Sequence, residues 1–231
     1  MTILILSVTA DRVVISSDSA VAQPLGVPLE GETSEDPAAL ALAFADPDRP
    51  VYPPAPTSYR RKIAVLGDRR RIVAGAGKVL PVVAAAGILA MSGGCRLEDE
   101  LGKLVADLTK LSEVTPAGAS AGLVVVATWE EGVGAVAYAL ASGNAWRPLR
   151  LGIGHAASPM PHPSIDGYPD LFDRFMAPPG DDVEQLHRDL ALAQSEAARR
   201  GLYKAGPTIG GDLWMATVDR DGARQSVIGH V

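Results

Sequence analysis

The sequence predicts an α+β protein of four layers, an αββα sandwich in which two antiparallel sheets lie between helical layers. Three observations predict this fold. Short apolar runs occur in pairs joined by turns, three longer segments are helical in character, and strands are grouped with strands along the chain. A doubly wound parallel sheet would need regular alternation of strands and helices, and that alternation is missing.

The predicted strands are mostly consecutive pairs that would form hairpins. Residues 2–8 and 13–15 are apolar on both faces, so this first pair is expected to be buried. Short polar turns containing Gly or Asp join the later pairs. The predicted strands are residues 2–8, 13–18, 62–66, 71–74, 123–129, 133–141, 149–153, 213–218 and 225–228.

Three helices are predicted, at residues 78–91, 97–111 and 181–200. In the second helix, leucines recur at spacings of three and four residues, which is typical of one buried face. The third begins with Asp181 and Asp182 and ends with Arg199 and Arg200. This distribution of charge favours a helix, because the helix dipole is positive at its start and negative at its end.

The composition excludes several classes of protein. The 231 residues are 47% hydrophobic and carry a net charge of −6, which argues against disorder and against nucleic acid as the main partner. A single cysteine, Cys95, excludes a disulfide framework and a multi-cysteine metal site. The longest apolar run, residues 79–91, is interrupted by Pro81 and is shorter than the roughly 20 residues that span a bilayer. We therefore expect a cytoplasmic protein that binds neither membrane nor nucleic acid.

Prolines are concentrated in two segments. Eight of the 18 prolines lie between Pro24 and Pro56, in an acidic stretch, and six lie between Pro159 and Pro179. Long segments of this kind inside a domain are usually functional loops or disordered. We expect a single domain over residues 1–231, with an acidic insertion at about 21–59 and a second proline-rich loop at about 155–180.

Three familiar motifs are incomplete in this sequence. Ser120 lies in a G-x-S-x-G pentapeptide, but a predicted strand follows it where a nucleophile elbow would have a helix. The segment 75–78 lacks the first glycine and the Ser or Thr of a phosphate loop. A metal site is not expected, because the spacing of the candidate ligands in the second loop fits no standard site; these candidates are His155, His162, Asp166 and Asp170.

A further set of segments resembles the proteasome β-type subunits. Thr2 is followed at the family's spacing by Asp18 at the end of the second predicted strand. Lys62 begins the third strand, and Gly75 ends the fourth. The two remaining segments, which occupy the places of later family signatures, are residues 151–154 and 210–219. Five such segments in the family's order identify the chain as similar to the N-terminal nucleophile (Ntn) hydrolases.

The resemblance implies a threonine-type peptidase or amidohydrolase without a cofactor. Thr2 would be the nucleophile after removal of Met1, and its free α-amine would be the base. Lys62 would stabilise the alkoxide, Asp18 would hold Lys62 charged, and the Gly75 N–H would face the oxyanion. Peptide or protein substrates, a homo-oligomer of one ring or stacked rings, and an unfoldase partner of unknown kind are also implied. Positions near Val21 and Val73 would form a small apolar subsite.

Two departures from the family pattern leave a second interpretation open. The family's glycine–serine–glycine signature has Ile153 where the supporting serine would stand. In addition, the threonine mechanism requires that Met1 be removed, because a retained Met1 would cap the general base. The alternative is a catalytically inactive, proteasome-like structural or assembly subunit.

Overall fold

The computed structural model describes residues 3–21, 58–59, 62–67, 69–92, 96–115, 120–158, 160–161, 170–200 and 211–230. These residues form twelve strands, four α-helices and one turn of 3₁₀-helix. The strands are β1 Leu4–Val8, β2 Arg12–Asp18, β3 Ala20–Val21, β4 Ser58–Tyr59, β5 Ile63–Val65, β6 Arg71–Gly77, β7 Gly122–Glu130, β8 Gly134–Ala141, β9 Leu149–Arg150, β10 Gly154–Ser158, β11 Asp212–Asp219 and β12 Gly222–His230. The helices are α1 Val79–Met91, α2 Leu97–Val114, α3 Leu171–Met176 and α4 Val183–Arg199.

Two antiparallel five-stranded sheets form the centre of the molecule. The first sheet has the order β10-β1-β2-β11-β12, and the second has the order β5-β6-β7-β8-β9. The hairpins expected from the sequence are the neighbours within these sheets, as in β1–β2 and β11–β12. The two-residue strands β3 and β4 pair with each other, with Ala20 opposite Tyr59 and Val21 opposite Ser58. Most of the predicted insertion, residues 22–57, lies outside the described residues.

Three apolar clusters separate the four layers and confirm the predicted αββα sandwich. The largest clusters lie between the second sheet and helices α1 and α2, and between the two sheets. A third cluster joins the outer face of the first sheet to α3 and α4. Side chains alternate between faces along each strand, so β1 directs Leu4 and Leu6 to the second sheet and Ile3 and Ile5 to the helices.

Among the elements that the sequence patterns did not reveal are β10 and α3. Both lie in or at the start of the region predicted as the second proline-rich loop, 155–180. The sequence of β10, Gly-His-Ala-Ala-Ser, has no alternation of large apolar and polar residues, so it carries no strand signal of its own. It is a strand because it pairs with β1 along its whole length.

Helix α4 is attached to the first sheet by a buried polar chain as well as by apolar contacts. His187 of α4 is fully buried, with Nδ1 2.8 Å from Ser16 Oγ of β2 and Nε2 2.7 Å from Ser7 Oγ of β1. Ser7 Oγ also lies 2.5 Å from Nδ1 of His155 on β10. Burial lowers the pKa of His187 from 6.5 to about 3, so this ring is neutral at pH 7.

A buried ion pair joins helix α2 to the second sheet. Arg71, at the start of β6, donates from its two terminal nitrogens to the two carboxylate oxygens of Glu100, over 2.6 and 3.1 Å. Both side chains are less than a tenth exposed. Within the described residues no helix is long and apolar enough to cross a membrane.

Removing one charge of this pair should destabilise the fold. We expect Glu100→Gln to lower the free energy of unfolding by about 3 kcal/mol, because it leaves the Arg71 charge buried without its counter-charge. The double substitution Arg71→Met with Glu100→Leu should recover most of that loss. Urea unfolding measures both variants, with Asp221→Ala in an exposed pair as the control. A loss for Glu100→Gln no larger than that of the control would contradict the assignment.

The buried His187 predicts a specific loss of stability in acid. Below pH 6.5 the unfolded chain binds a proton at this position that the folded chain excludes until about pH 3, so stability falls as the pH falls through this window. Between pH 6.5 and 5 we expect His187 to contribute a loss of about 2 kcal/mol. The variant His187→Gln should show a shallower pH dependence than the wild type in urea unfolding, and an unchanged dependence would contradict the prediction.

Candidate functional site

Three of the four predicted catalytic residues lie in the described part of the structure. Asp18 ends β2 in the first sheet, Lys62 immediately precedes β5 in the second sheet, and Gly75 lies in β6. The fourth, Thr2, lies outside the described residues, as does Met1. The adjacent residue Ile3 is described and buried.

Asp18 and Lys62 form a buried ion pair between the two sheets. Lys62 Nζ donates to both carboxylate oxygens of Asp18, over 3.0 Å and 3.1 Å. The side chains are 5% and 0% exposed. The backbone N–H of Ile3 also donates to Asp18 Oδ1, over 2.8 Å. Asp18 therefore connects the backbone at the start of β1 to a lysine from the opposite sheet.

Burial makes the ammonium group of Lys62 easier to deprotonate than a lysine in water. Desolvation lowers the pKa of Lys62, and the attraction and hydrogen bond from Asp18 oppose this effect only in part. A lysine of this kind is less costly to deprotonate than one in water. Such a shift is typical of lysines in functional sites, although structural ion pairs also produce it.

Gly75 lies beside the pair, but its amide already has a partner. The Gly75 N–H donates to the backbone oxygen of Lys62 over 3.1 Å, which extends the β5–β6 ladder by one bond. A side chain here would collide with Val82 of α1 and would come within 2.5 Å of the oxygen of Leu123. Close packing of α1 and β7 against β6 is therefore a sufficient reason for a glycine at this position.

Gly77, two residues further along β6, has its amide on the same edge of the strand. Amides alternate between the two edges of a strand, so the N–H groups of Gly75 and Gly77 both point away from β7. Lys62 is opposite Gly75, and this is the last contact of that ladder among the described residues. With φ at +93°, Gly77 also has a backbone conformation that favours glycine. The sequence analysis did not single out this residue.

The register of β10 removes the objection that Ile153 raised. Gly154, the residue after Ile153, is opposite Val8 at the far end of β1. Ser158, at the other end of β10, is opposite Leu4 and so lies at the end of β1 where Thr2 precedes Ile3. The assignment of residues 152–154 to the signature next to the nucleophile is therefore wrong. The sequence pattern did not reveal that Ser158 lies at this end of β1; the β1–β10 pairing shows it.

The described part of the second signature segment, residues 211–219, reaches the end of the first sheet that carries Asp18. Leu213 of β11 is opposite Asp18, and the N–H of Asp212 donates to Ser19 Oγ over 2.8 Å. Gly210 lies outside the described residues. The described part of this segment thus borders Asp18 of the Asp18–Lys62 pair.

The other sequence candidates do not gather at this pair. Ser120 is buried and precedes strand β7, so the strand–turn–helix context of a nucleophile elbow is absent. Val73 is fully buried in the cluster beneath α1 and α2 and does not line an open subsite. Of the candidate metal ligands, His155 bonds to Ser7, while His162 and Asp166 lie outside the described residues.

The pair predicts a pH-dependent cost for loss of the carboxylate. We expect Asp18→Asn to lower the free energy of unfolding at pH 7 by about 3 kcal/mol, because Lys62 is then buried without its counter-charge. Loss of Asp18 lowers the pKa of Lys62 further, while the unfolded chain keeps this lysine protonated to about pH 10.4. The difference in the free energy of unfolding between Asp18→Asn and the wild type should therefore become smaller as the pH rises from 7 towards 10.

Guanidinium unfolding at pH 7 and at alkaline pH measures this change. The matched control is Asp18→Asn combined with Lys62→Met, which removes the titrating group, so its deficit relative to the wild type should not shrink as the pH rises. If the deficit of the single variant did not shrink either, the assignment of a buried Asp18–Lys62 couple would be refuted.

The likeness of this chain to known proteins is structural. No protein-family model matches the sequence, and no curated protein matches it. Among solved structures, Anbu (ancestral beta-subunit) from Yersinia bercovieri is similar with a TM-score of 0.61 and 9% sequence identity. The alignment covers 100% of this chain and 89% of that chain. The chain therefore has an α+β sandwich fold similar to that of Anbu, which agrees with the fold class expected from the sequence.

Proposed function

We propose that the protein is an N-terminal threonine hydrolase that cleaves peptide or other amide bonds within an oligomeric, proteasome-like assembly in the cytoplasm. The observation that carries the proposal is the buried Asp18–Lys62 pair with the Ile3 amide bonded to Asp18. An ion pair costs desolvation energy, so its burial at the start of β1 needs a reason beyond stability. Activation of the preceding residue supplies that reason.

The position of Thr2 in the sequence, directly before Ile3, supports its role in this proposal. Thr2 is joined to the Ile3 nitrogen, which lies 2.8 Å from Asp18 Oδ1. Once Met1 is removed, Thr2 carries an α-amine with an ordinary pKa of about 7.7–8.0, so a substantial fraction is neutral near pH 7. A neutral amine can accept the proton of the threonine hydroxyl.

Lys62 and Asp18 have different electrostatic roles in this proposal. The ammonium of Lys62 lowers the pKa of a nearby amine by like-charge repulsion and stabilises an alkoxide on Thr2. Asp18 holds Lys62 in position through both carboxylate oxygens. This is consistent with the burial of the pair, because a low dielectric strengthens both effects.

The reaction then proceeds through an ester. Thr2 Oγ attacks the substrate carbonyl carbon, the C–N bond breaks, and the leaving amine takes the proton held by the α-amine. Water hydrolyses the ester and restores Thr2. The Gly75 amide is bonded to the Lys62 oxygen, so we assign the oxyanion donor to the Gly77 N–H on the same edge of β6. Ser158 is assigned a supporting position at the end of β10.

The test begins with the intact mass of the protein from its own host, which shows whether Met1 has been removed. Hydrolysis of a library of short fluorogenic peptide amides then measures activity. We expect Thr2→Ala to lower kcat/KM by at least about a thousandfold, because it removes the nucleophile, and Thr2→Ser to retain measurable activity. Size-exclusion chromatography should show the same assembly for all three proteins.

Ser195→Ala is the matched control, because Ser195 is a buried serine of α4 whose hydroxyl bonds to the Ala191 oxygen of the same helix, and its activity should equal that of the wild type. Retention of Met1 on every chain would refute the threonine mechanism. An assembled protein without Met1 that cleaves no peptide amide would instead support the inactive structural subunit.

A further inference from the structure

Two consecutive residues other than glycine have left-handed backbone conformations shortly after β8. Ala145 has a φ of +48° and Trp146 has a φ of +59°. Residues with a Cβ atom rarely adopt this region, and for a bulky residue such as tryptophan it is a genuine outlier. Backbone strain of this kind persists only where the surrounding structure imposes it, and strained residues are concentrated at functional sites. The strained turn therefore indicates a nearby part of the molecule whose position matters.

Buried contacts impose the conformation of this turn. It begins with one turn of 3₁₀-helix, Ser142–Asn144, and the Trp146 N–H donates to the oxygen of Ala141 over 3.0 Å. The Trp146 side chain is 2% exposed and lies in the apolar cluster between the second sheet and helices α1 and α2. Its Nε1 donates to Ser112 Oγ of α2 over 2.9 Å. The strained turn, residues 142–146, is therefore attached to the core of the protein.

The strained turn holds the hydroxyl group of Ser142 against the start of β7. Ser142 Oγ accepts a hydrogen bond from the N–H of Gly122 over 3.1 Å. The β7–β8 ladder begins one residue later, with Leu123 opposite Ala141. The hydroxyl thus occupies the place where a longer β8 would offer a backbone oxygen to Gly122. Ser142 therefore fixes the first residue of β7 with a side chain in place of a strand.

Gly122 lies against Gly77, the residue to which we assign the oxyanion donor. The two glycines are opposite each other in the β6–β7 ladder, and a Cβ atom on Gly77 would come within 2.8 Å of Gly122 Cα. The N–H of Lys78 donates to the oxygen of Ala121 over 2.9 Å, so the amide of the preceding Gly77 points away from β7. Gly77 is exposed, whereas Gly75 is buried. With no side chain between the two strands here, a displacement of Gly122 would move the Gly77 amide.

We propose that Ser142 is a positioning residue for the hydrolysis: its hydroxyl, held by the strained turn, fixes the Gly122–Gly77 pair and keeps the Gly77 N–H directed at the oxyanion. The inference rests on the proposed function, in which Gly77 is the oxyanion donor. Such a donor accelerates the reaction only when it is held in advance where the charge develops. Ser142 does not touch the substrate in this arrangement, so its loss should affect the chemical step more than substrate binding.

The first test compares the kinetic constants of Ser142→Ala with those of the wild type on the peptide amide that the wild type cleaves best. We expect kcat to fall about tenfold or more and KM to stay within about twofold, because a displaced donor weakens transition-state stabilisation without removing a substrate contact. Ser142→Thr keeps the hydroxyl and should restore most of kcat. The matched control is Ser92→Ala, at a half-buried serine whose hydroxyl bonds to the Leu89 oxygen of α1, and its kcat should equal that of the wild type.

A second measurement reports on Gly77 without a substrate. In ¹H–¹⁵N correlation spectra of the full chain labelled with ¹⁵N-glycine, Ser142→Ala should shift the amide resonances of Gly122 and Gly77. Trp146→Phe removes the bond to Ser112 Oγ from the strained turn and should also shift both resonances. Ser92→Ala should leave both unchanged. Urea unfolding of each variant confirms that the fold is retained.

The two measurements separate this inference from the proposed function. An unchanged kcat for Ser142→Ala, an equal fall for Ser92→Ala, or a rise in KM in place of the fall in kcat would overturn the role of Ser142. An unshifted Gly77 resonance in Ser142→Ala would overturn it as well. A wild type that cleaves no peptide amide would refute the proposed function, and the Gly77 resonance alone would then decide whether Ser142 positions this end of β6.

Discussion

The structure depends on burying apolar side chains between two sheets that each have two apolar faces. Strands such as β1 and β2 direct large apolar residues to both sides, so neither sheet could face water on either face. Removing apolar surface from water stabilises the fold by roughly 25 cal/mol per Å². A sheet covered on one face only would therefore lose a large part of this stabilisation. Helices on both outer faces complete the burial, and this requirement produces the four layers.

Polar groups inside such a sandwich are costly, so the ones that remain indicate where function or specificity is concentrated. The three described arrangements lie in different layers. Arg71 and Glu100 join a helix to the second sheet, His187 joins a helix to the first, and Asp18 and Lys62 join the ends of the two sheets. The first two also hold a helix in register against a sheet. The third joins the end of β2 to the residues that precede β1 and β5.

The register of the strands determines what surrounds the Asp18–Lys62 pair. Ser158 and Leu213 reach this end of the first sheet because β10 and β11 pair with their neighbours in particular registers. A slip by one residue would reverse the faces of the affected strand. The same alternation assigns the amides of Gly75 and Gly77 to one edge of β6, where, among the described residues, the Gly75 amide bonds to the Lys62 carbonyl. The chemistry available here thus follows from backbone pairing as much as from residue type.

The sequence by itself determined the hairpins, the long helices and the four-layer class, because periodicity and turn residues are local properties. It also predicted that Asp18, Lys62 and Gly75 would be neighbours, although through resemblance and not through pattern. Tertiary structure alone decided the strand β10, whose small residues form a strand only beside β1. It also placed Ser158 opposite Leu4 and Gly154 opposite Val8, and showed that the Gly75 amide is already bonded. These results depend on contacts between residues far apart in sequence, and no local pattern records them.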